Sequence, residues 1–268
     1  MKISEKLSVL LASSLTASSI SAAPIVFNDY QTLGTSGGQI ISGASTTGAT
    51  LTYSGNGNGA DGMQALFDSP ITFVNVGDRL TYSYTVGSIS SSVDFGANNA
   101  FRSGVNFDSV TPNEFNSLHY TTGYGDISND VRMAFNTNAN PYSGGTNIVP
   151  TENYNTSLRL QTGNTVDFTL VLELAAINGP NDFDYTYTGT IGVGNANELT
   201  IVRSLTGIKS DSPTGIYHLT NSAALDILDD TWTISNGSAD FTAVPEPGAF
   251  SFLGGALSLA LVAMRRRR

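Results

Sequence analysis

Cleaving a sugar chain on a β-scaffold needs two carboxyl groups about 5–10 Å apart, one acting as acid and one as base or nucleophile. Between residues 24 and 243 the chain carries four glutamates, Glu114, Glu152, Glu173 and Glu198. No two share a strand face by spacing, and the Glu-x-Asp-x-x-Glu arrangement of glucanases is absent. Only Glu173 lies in a strong strand-like run, where alternation groups it with Asp167, Thr169 and Val171 on a solvated face. The two histidines, His119 and His218, lack the spacing of a zinc site and read as surface or half-buried strand residues. No Gly-x-Ser-x-Gly elbow supports a serine hydrolase. Asn56-Gly57-Asn58-Gly59 has no lysine and no helix after it, so it is not a phosphate loop. The lack of cysteine excludes thiol catalysis, a Cys-ligated metal and a disulfide scaffold.

Two binding chemistries stay open. Calcium takes six to eight oxygen ligands, often from Asp, Asn and loop carbonyls. Asn181, Asp182 and Asp184 offer such oxygens after Gly179-Pro180, and Asp226, Asp229 and Asp230, or Asp126 and Asp130, form further acidic groups. None has the spacing of an EF-hand, and solvated turn residues are the plainer reading of each. Tyr120, Tyr124, Tyr142, Tyr154, Tyr185 and Tyr187 could stack on sugar rings, although tyrosine is also a favoured strand residue.

Strands must position all of these groups. Leu80, Tyr82, Tyr84 and Val86 alternate with Thr81, Ser83 and Thr85; Val166, Phe168, Leu170, Leu172 and Leu174 alternate in the same way. Phe101, Val105 and Phe107 share a face, as do Val131, Met133 and Phe135, and Trp232 with Ile234. Residues two apart lie on one side of a strand, so each segment buries one face. Gly77-Asp78, Gly163-Asn164, Asn178-Gly179, Asn236-Gly237, Ser69-Pro70 and Ser212-Pro213 read as turns. About a dozen short strands are expected, with residues 34–62 as an edge hairpin and Ser222–Leu228 as a helical turn or edge strand. The expected fold is an all-β, antiparallel two-sheet β-sandwich of jelly-roll type.

Composition agrees. Of 268 residues, 28 are glycine, 30 threonine and 23 asparagine, while only 13% are charged. Helical bundles and coiled coils are far richer in Ala, Glu, Lys and Leu. Residues 24–243 hold six bases and 20 acids, a net charge of −14. Such a domain repels nucleic acid and anionic lipid.

The two ends read as addresses. Lys2 and Lys6 precede a mildly apolar run from Leu7 to Ile20, and Ser21-Ala22-Ala23 supplies small residues for a signal peptidase after passage through the Sec translocon. Cleavage is expected between Ala22 and Ala23, giving a signal peptide over 1–22 and an ectodomain over 23–243. At the other end, Val244, Pro245, Glu246 and Pro247 precede Gly248 and a 16-residue stretch without charge, Ala249–Met264. Arg265, Arg266, Arg267 and Arg268 follow. Prolines around Glu246 can continue neither a helix nor a strand, so they separate this tail from the domain. As a helix the apolar run spans about 24 Å, short for a hydrocarbon core of about 30 Å unless arginines extend its reach. Clustered arginines are retained in the cytoplasm, which places the ectodomain outside.

Val-Pro-Glu-Pro, a short apolar helix and a terminal arginine cluster together resemble the PEP-CTERM sorting tail of exported bacterial proteins. The resemblance covers residues 244–268. It implies recognition by an exosortase, a membrane-embedded cysteine protease-transpeptidase, in a Gram-negative, exopolysaccharide-producing host. It further implies an inner-membrane intermediate and a final place at the cell surface or in the extracellular matrix. A GPI signal would end apolar rather than in arginines, and no Leu-Pro-x-Thr-Gly element is present.

The stretches Gly77-Asp78-Arg79-Leu80-Thr81-Tyr82-Ser83-Tyr84, Asn99–Ser109 and Ile227–Ile234 resemble the concanavalin A-like lectin/glucanase sandwich. The reading is therefore an exported, exosortase-processed protein with a non-catalytic sandwich associated with exopolysaccharide and without a required cofactor. Its alternatives are a calcium-assisted carbohydrate-binding or adhesive module, and a glycan-cleaving enzyme.

Overall fold

The computed structural model describes residues 22–33, 39–53, 60–87, 101–107, 117–122, 131–136, 149–150, 163–195, 198–221 and 231–245. Fifteen strands run through them. They are β1 (Ala22–Ile25), β2 (Gln31–Leu33), β3 (Gln39–Ser45), β4 (Gly48–Tyr53), β5 (Ala60–Leu66), β6 (Arg79–Gly87), β7 (Phe101–Asn106) and β8 (Ser117–Thr122). After these come β9 (Val131–Asn136), β10 (Val149–Pro150), β11 (Val166–Gly179), β12 (Asp182–Ile191), β13 (Leu199–Ile208), β14 (Gly215–Asn221) and β15 (Thr231–Thr242).

Two antiparallel sheets form. The first runs β13-β12-β11-β6-β15-β4-β3, with β1 also paired to β15; the second runs β10-β9-β8-β7-β14-β5-β2. This is the all-β, two-sheet architecture that the alternation predicts. The Gly/Ser/Thr-rich early stretch supplies the β3/β4 hairpin, with β3 at the sheet edge. Ser222–Leu228 lies outside the described residues.

The apolar parity of β6 and β11 is realised in full. Leu80, Tyr82, Tyr84 and Val86 are buried, as are Val166, Phe168, Leu170, Leu172 and Leu174. The two sets share one cluster with Met63, Ala65, Phe101, Val105 and Ile216 of the second sheet. Aromatic rings bind the layers together: Phe101 lies 5.8 Å from Phe168 and edge-on to Trp232 at 5.5 Å. Rings at these separations add stability beyond the area they bury.

One turn reading is corrected. Asn236-Gly237 does not end a strand; it lies inside β15, where the pairing with β6 slips between Ser235 and Ser238. Asn236 takes the left-handed conformation, φ 55°, and the Gly237 N–H reaches the Thr47 carbonyl at 2.8 Å. One extra residue in a strand flips the parity of everything after it. Trp232 and Ile234 face the core before the bulge, and Ala239 does so after it. An even-numbered apolar face thus becomes an odd-numbered one without breaking the strand.

Gly48 opens β4 against the same strand, and a Cβ there would collide with the Ile234 carbonyl oxygen and carbon. Backbone cannot move aside as a flexible side chain can. Gly48→Ala is expected to destabilise the domain by about 1–3 kcal/mol, read as a lower urea midpoint at unchanged slope.

Candidate functional site

The expected site residues separate into groups once placed. Glu173 stands on the outer side of β11, in register with Arg79 of β6 and Thr186 of β12. Its neighbours Asp167, Thr169 and Val171 are outward too, as alternation predicts. Glu198 accepts a hydrogen bond from the Gly194 N–H at 2.9 Å and so caps its own loop. Glu114 and Glu152 lie outside the described residues.

The Asp184 carboxylate accepts the Gly207 N–H at 3.0 Å, which ties β12 to the end of β13. Asp182 pairs with Gly179 across the hairpin, and Asn181 is exposed at its tip. Among the described residues no three His, Cys, Asp or Glu side chains gather around a metal position. Asp126, Asp130, Asp226, Asp229 and Asp230 lie outside the described residues.

Two of the tyrosines expected to meet sugars are instead core residues. Tyr185 and Tyr187 are fully buried on the inner face of β12. The Tyr185 hydroxyl donates to the Ser210 carbonyl at 3.0 Å, and its ring packs edge-on against Phe73 at 5.3 Å. Burial raises the pKa of both hydroxyls. The side chain of Tyr120 and all of Tyr124, Tyr142 and Tyr154 fall outside the described set.

His218 is also corrected: it is fully buried between the two sheets. One ring nitrogen, Nδ1, lies 2.7 Å from the Ser103 hydroxyl on the adjacent β7. The other, Nε2, lies 2.9 Å from the Tyr82 hydroxyl of β6 in the opposite sheet. Tyr82 in turn bonds the Tyr30 hydroxyl at 2.6 Å. Rings of Tyr84, Tyr82, Tyr30 and Phe101 surround the imidazole at 4.7 to 6.0 Å. Burial lowers the His218 pKa to about 3. Burial also pushes Tyr30 up to about 12, against a smaller opposing effect of its bond to Tyr82, and it raises Tyr82 and Tyr84. A serine beside a histidine suggests a nucleophile and its base. Ser103 is 1% exposed and His218 0%, so no substrate atom reaches either. The chain Ser103–His218–Tyr82–Tyr30 is a polar tie through an apolar core.

The exposed chemistry lies on the outer face of the first sheet. Pairing registers place Thr200, Thr190, Thr169, Ser83 and Ser238 side by side on β13, β12, β11, β6 and β15. Five hydroxyl residues thus form one row across the strands, about 19 Å long at 4.8 Å per strand. Within it, Thr190 and Thr200 hydroxyls are 3.0 Å apart, and Ser83 and Thr169 3.2 Å. Thr50 and Thr233 make a parallel contact at 3.2 Å on β4 and β15. The next row holds Val202, Thr188, Val171, Thr81 and Asp240. Sequence reasoning saw these threonines only as the polar half of an alternation; their alignment depends on register.

Outward positions of the second sheet are buried as well. Arg102, Asn106, Tyr217 and Gln64 lie opposite to the core residues of β7, β14 and β5, at 0 to 7% exposure. Gly104 lets the Tyr217 ring lie across β7, since a Cβ there would come 2.5 Å from the Tyr217 hydroxyl. Parity in Phe101–Asn106 separates Arg102 from the core side, but nothing in the sequence signals that its face is covered.

At the ends of the sandwich, Ala22 is the register partner of Thr242, so β1 begins where β15 stops. Ala23 pairs with Phe241, which leaves most of the β1 pairing intact if the chain starts there. Just beyond β15, Val244 is held by its main chain: its N–H reaches Asp78 Oδ1 at 2.7 Å, and its carbonyl accepts Asn75 Nδ2 at 3.0 Å. Among the described residues no helix is long and apolar enough to cross a membrane. Glu246, Pro247, Ala249–Met264 and Arg265–Arg268 lie outside the described set.

No family profile matches the chain, and no curated protein matches its sequence. Among solved structures the chain is similar to arcelin-5, a lectin-like defence protein from Phaseolus vulgaris, at 10% identity over 84% of this chain and 99% of that one, TM-score 0.45. It is similar to a lectin from Bauhinia forficata in complex with GalNAc, at 10% identity over 84% and 100% of the two chains, TM-score 0.46. A PL-14 alginate lyase from the marine Aplysia kurodai is similar at 11% identity over 75% and 86%, TM-score 0.38. Identities and scores this low say nothing of chemistry, and the two-sheet assignment rests on the strand pairing itself.

Proposed function

We propose that this protein is an exported β-sandwich, sorted and trimmed through residues 244–268, that works outside the cell as a non-catalytic module binding neutral polysaccharide. The observation that carries the proposal is the pairing of Ala22 with Thr242, which brings the two ends of the sandwich domain, where the address segments attach, to the same strand end of the first sheet. A domain tethered at one point keeps its sheet faces clear of the membrane that the tail enters. Export by the Sec translocon, removal of residues 1–22 by signal peptidase and recognition by an exosortase follow from the motifs at the two ends.

The hydroxyl rows supply the binding chemistry. Hydroxyls both donate and accept, so a sugar chain lying across them finds partners in either sense. Each bond contributes only about 1 kcal/mol net, and affinity accumulates through repetition along the polymer. The net charge of −14 between residues 24 and 243 disfavours anionic polymers. Residues 23–248, which keep Val244 on Asp78 and Asn75, should therefore co-sediment with an insoluble neutral polysaccharide and stay soluble beside alginate. Replacing Thr169 and Thr190 together by valine, which keeps the strand shape and removes both hydroxyls, is expected to weaken sedimentation about tenfold while the melting midpoint changes little. Equal sedimentation by the double variant would remove this face from the account.

A further inference from the structure

We propose that Asn75, Gly77 and Asp78 form a socket for Val244, which fixes where the C-terminal segment leaves the sandwich and sets the upstream limit of proteolytic cutting there. Its biological use rests on the trimming proposed above; the socket itself does not. Asp78 is a carboxylate only 1% exposed. A buried carboxylate is costly unless hydrogen-bond donors surround it. Asp78 Oδ2 accepts the Val74 and Asn75 N–H groups at 2.8 Å each, both from its own loop. Oδ1 receives its donor from Val244, 166 residues away. Among the described residues, Val244 supplies the donor that completes the hydrogen bonding of this carboxylate.

The rest of the loop is shaped to the same end. Gly77 has φ +95°, and a Cβ there would come 3.0 Å from Val244 Cγ2, so the valine side chain lies against the glycine. The loop is tied to β11 through Gly77 N–H to the Leu174 carbonyl, 2.8 Å, and Leu174 N–H to the Asp78 carbonyl, 2.9 Å. Proteases commonly hold substrates as an added strand, bonding main-chain N–H and C=O on each side of the scissile bond. Both main-chain groups of Val244 are already engaged. Pro245 has no N–H to offer. The first residue past the socket with both groups available by its chemistry is Glu246, so cutting is directed to Glu246 or beyond.

Limited proteolysis of the purified full chain in detergent tests the socket without any sorting machinery. The probe is a serine protease that cuts after small aliphatic residues, with water as acceptor. In the wild type the Ala243–Val244 bond should resist cutting while bonds after Pro247 are cleaved. Asn75→Ala removes the bond to the Val244 carbonyl and leaves every donor to Asp78 in place; Asp78→Asn weakens the other. Both should raise cutting at Ala243–Val244 at least tenfold, Asn75→Ala at an unchanged melting midpoint and Asp78→Asn at a lower one, because its amide NH2 faces a backbone N–H in a buried place. Wild-type cutting there as fast as in Asn75→Ala would overturn the proposal. In cells, a mature wild-type end at or beyond Glu246 supports it, and one upstream of Val244 overturns it. An intact Arg268 on every cellular form, together with the protease result above, would remove trimming and leave the socket standing.

Discussion

Acidification from pH 7 to pH 4 should destabilise the domain through His218 by roughly 3 kcal/mol, at about 1.4 kcal/mol per pH unit below 6.5. The sign follows from which state binds the proton. Unfolded, the imidazole titrates near 6.5; folded, burial lowers it to about 3. Between those values the unfolded chain takes up a proton that the folded one refuses. The contribution is complete above pH 6.5 and is lost progressively as pH falls toward 3. The groups around the ring offer no compensating charge, since Ser103 is neutral and burial raises Tyr30, Tyr82 and Tyr84 far above this range. Against a typical stability of about 5–15 kcal/mol the loss is large. Surface carboxylates titrate in the same window, so the comparison is with His218→Gln, which retains hydrogen-bonding capacity without the titration. Urea midpoints of the two proteins should converge or cross as pH drops. A difference that stays constant from pH 7 to pH 4 would show that His218 is not excluded from protonation.

The second large effect is expected at the tail. Changing Pro245, Glu246 and Pro247 together to alanine should leave export intact and stop trimming. The precursor would then accumulate in the membrane, about 2 kDa heavier, as tail removal by transamidating enzymes implies. Two physical features support this. A residue that precedes proline is biased toward extended conformations by its sequence alone, and Glu246 adds a charge that a plain membrane anchor does not need. The triple variant leaves the Val244 main chain and its bonds to Asp78 and Asn75 in place, so the domain should melt as before. Immunoblots of membrane and surface fractions check both halves of the expectation. Export lost along with trimming would mean that the three residues serve folding or passage rather than recognition.

Alternation made the sandwich legible. In β6 every apolar residue falls on one parity, in β11 Val166, Phe168, Leu170, Leu172 and Leu174 do so with Val171 facing out, and all nine residues on that parity from Leu80 to Val86 and Val166 to Leu174 are buried. Legibility ended where one local signal supports two geometries. Asn-Gly suits a hairpin turn and an αL bulge alike, and only the pairing of β15 with β6 decides between them. Tyr185 and Tyr187 could belong to a sugar platform or to a core, because tyrosine suits both, and the packing of β12 under the second sheet settles it. His218 looked like an ordinary polar strand residue, since its partners come from sequence distances of 115 and 136 residues. The Val244 socket was hidden for the same reason. Its turn, Gly77-Asp78, was readable from sequence; its guest arrives from the far end of the chain.

The central claim is that residues 244–268 are a sorting tail on an exported sandwich, cut at Glu246 or beyond. Intact mass spectrometry of the protein recovered from the cell surface and medium tests it most directly. The account predicts a chain that starts at Ala23 and ends between Glu246 and Gly248, with Ala249–Arg268 absent. Surface protein that retains Arg268 as its C-terminus would contradict it and leave the tail as an ordinary membrane anchor.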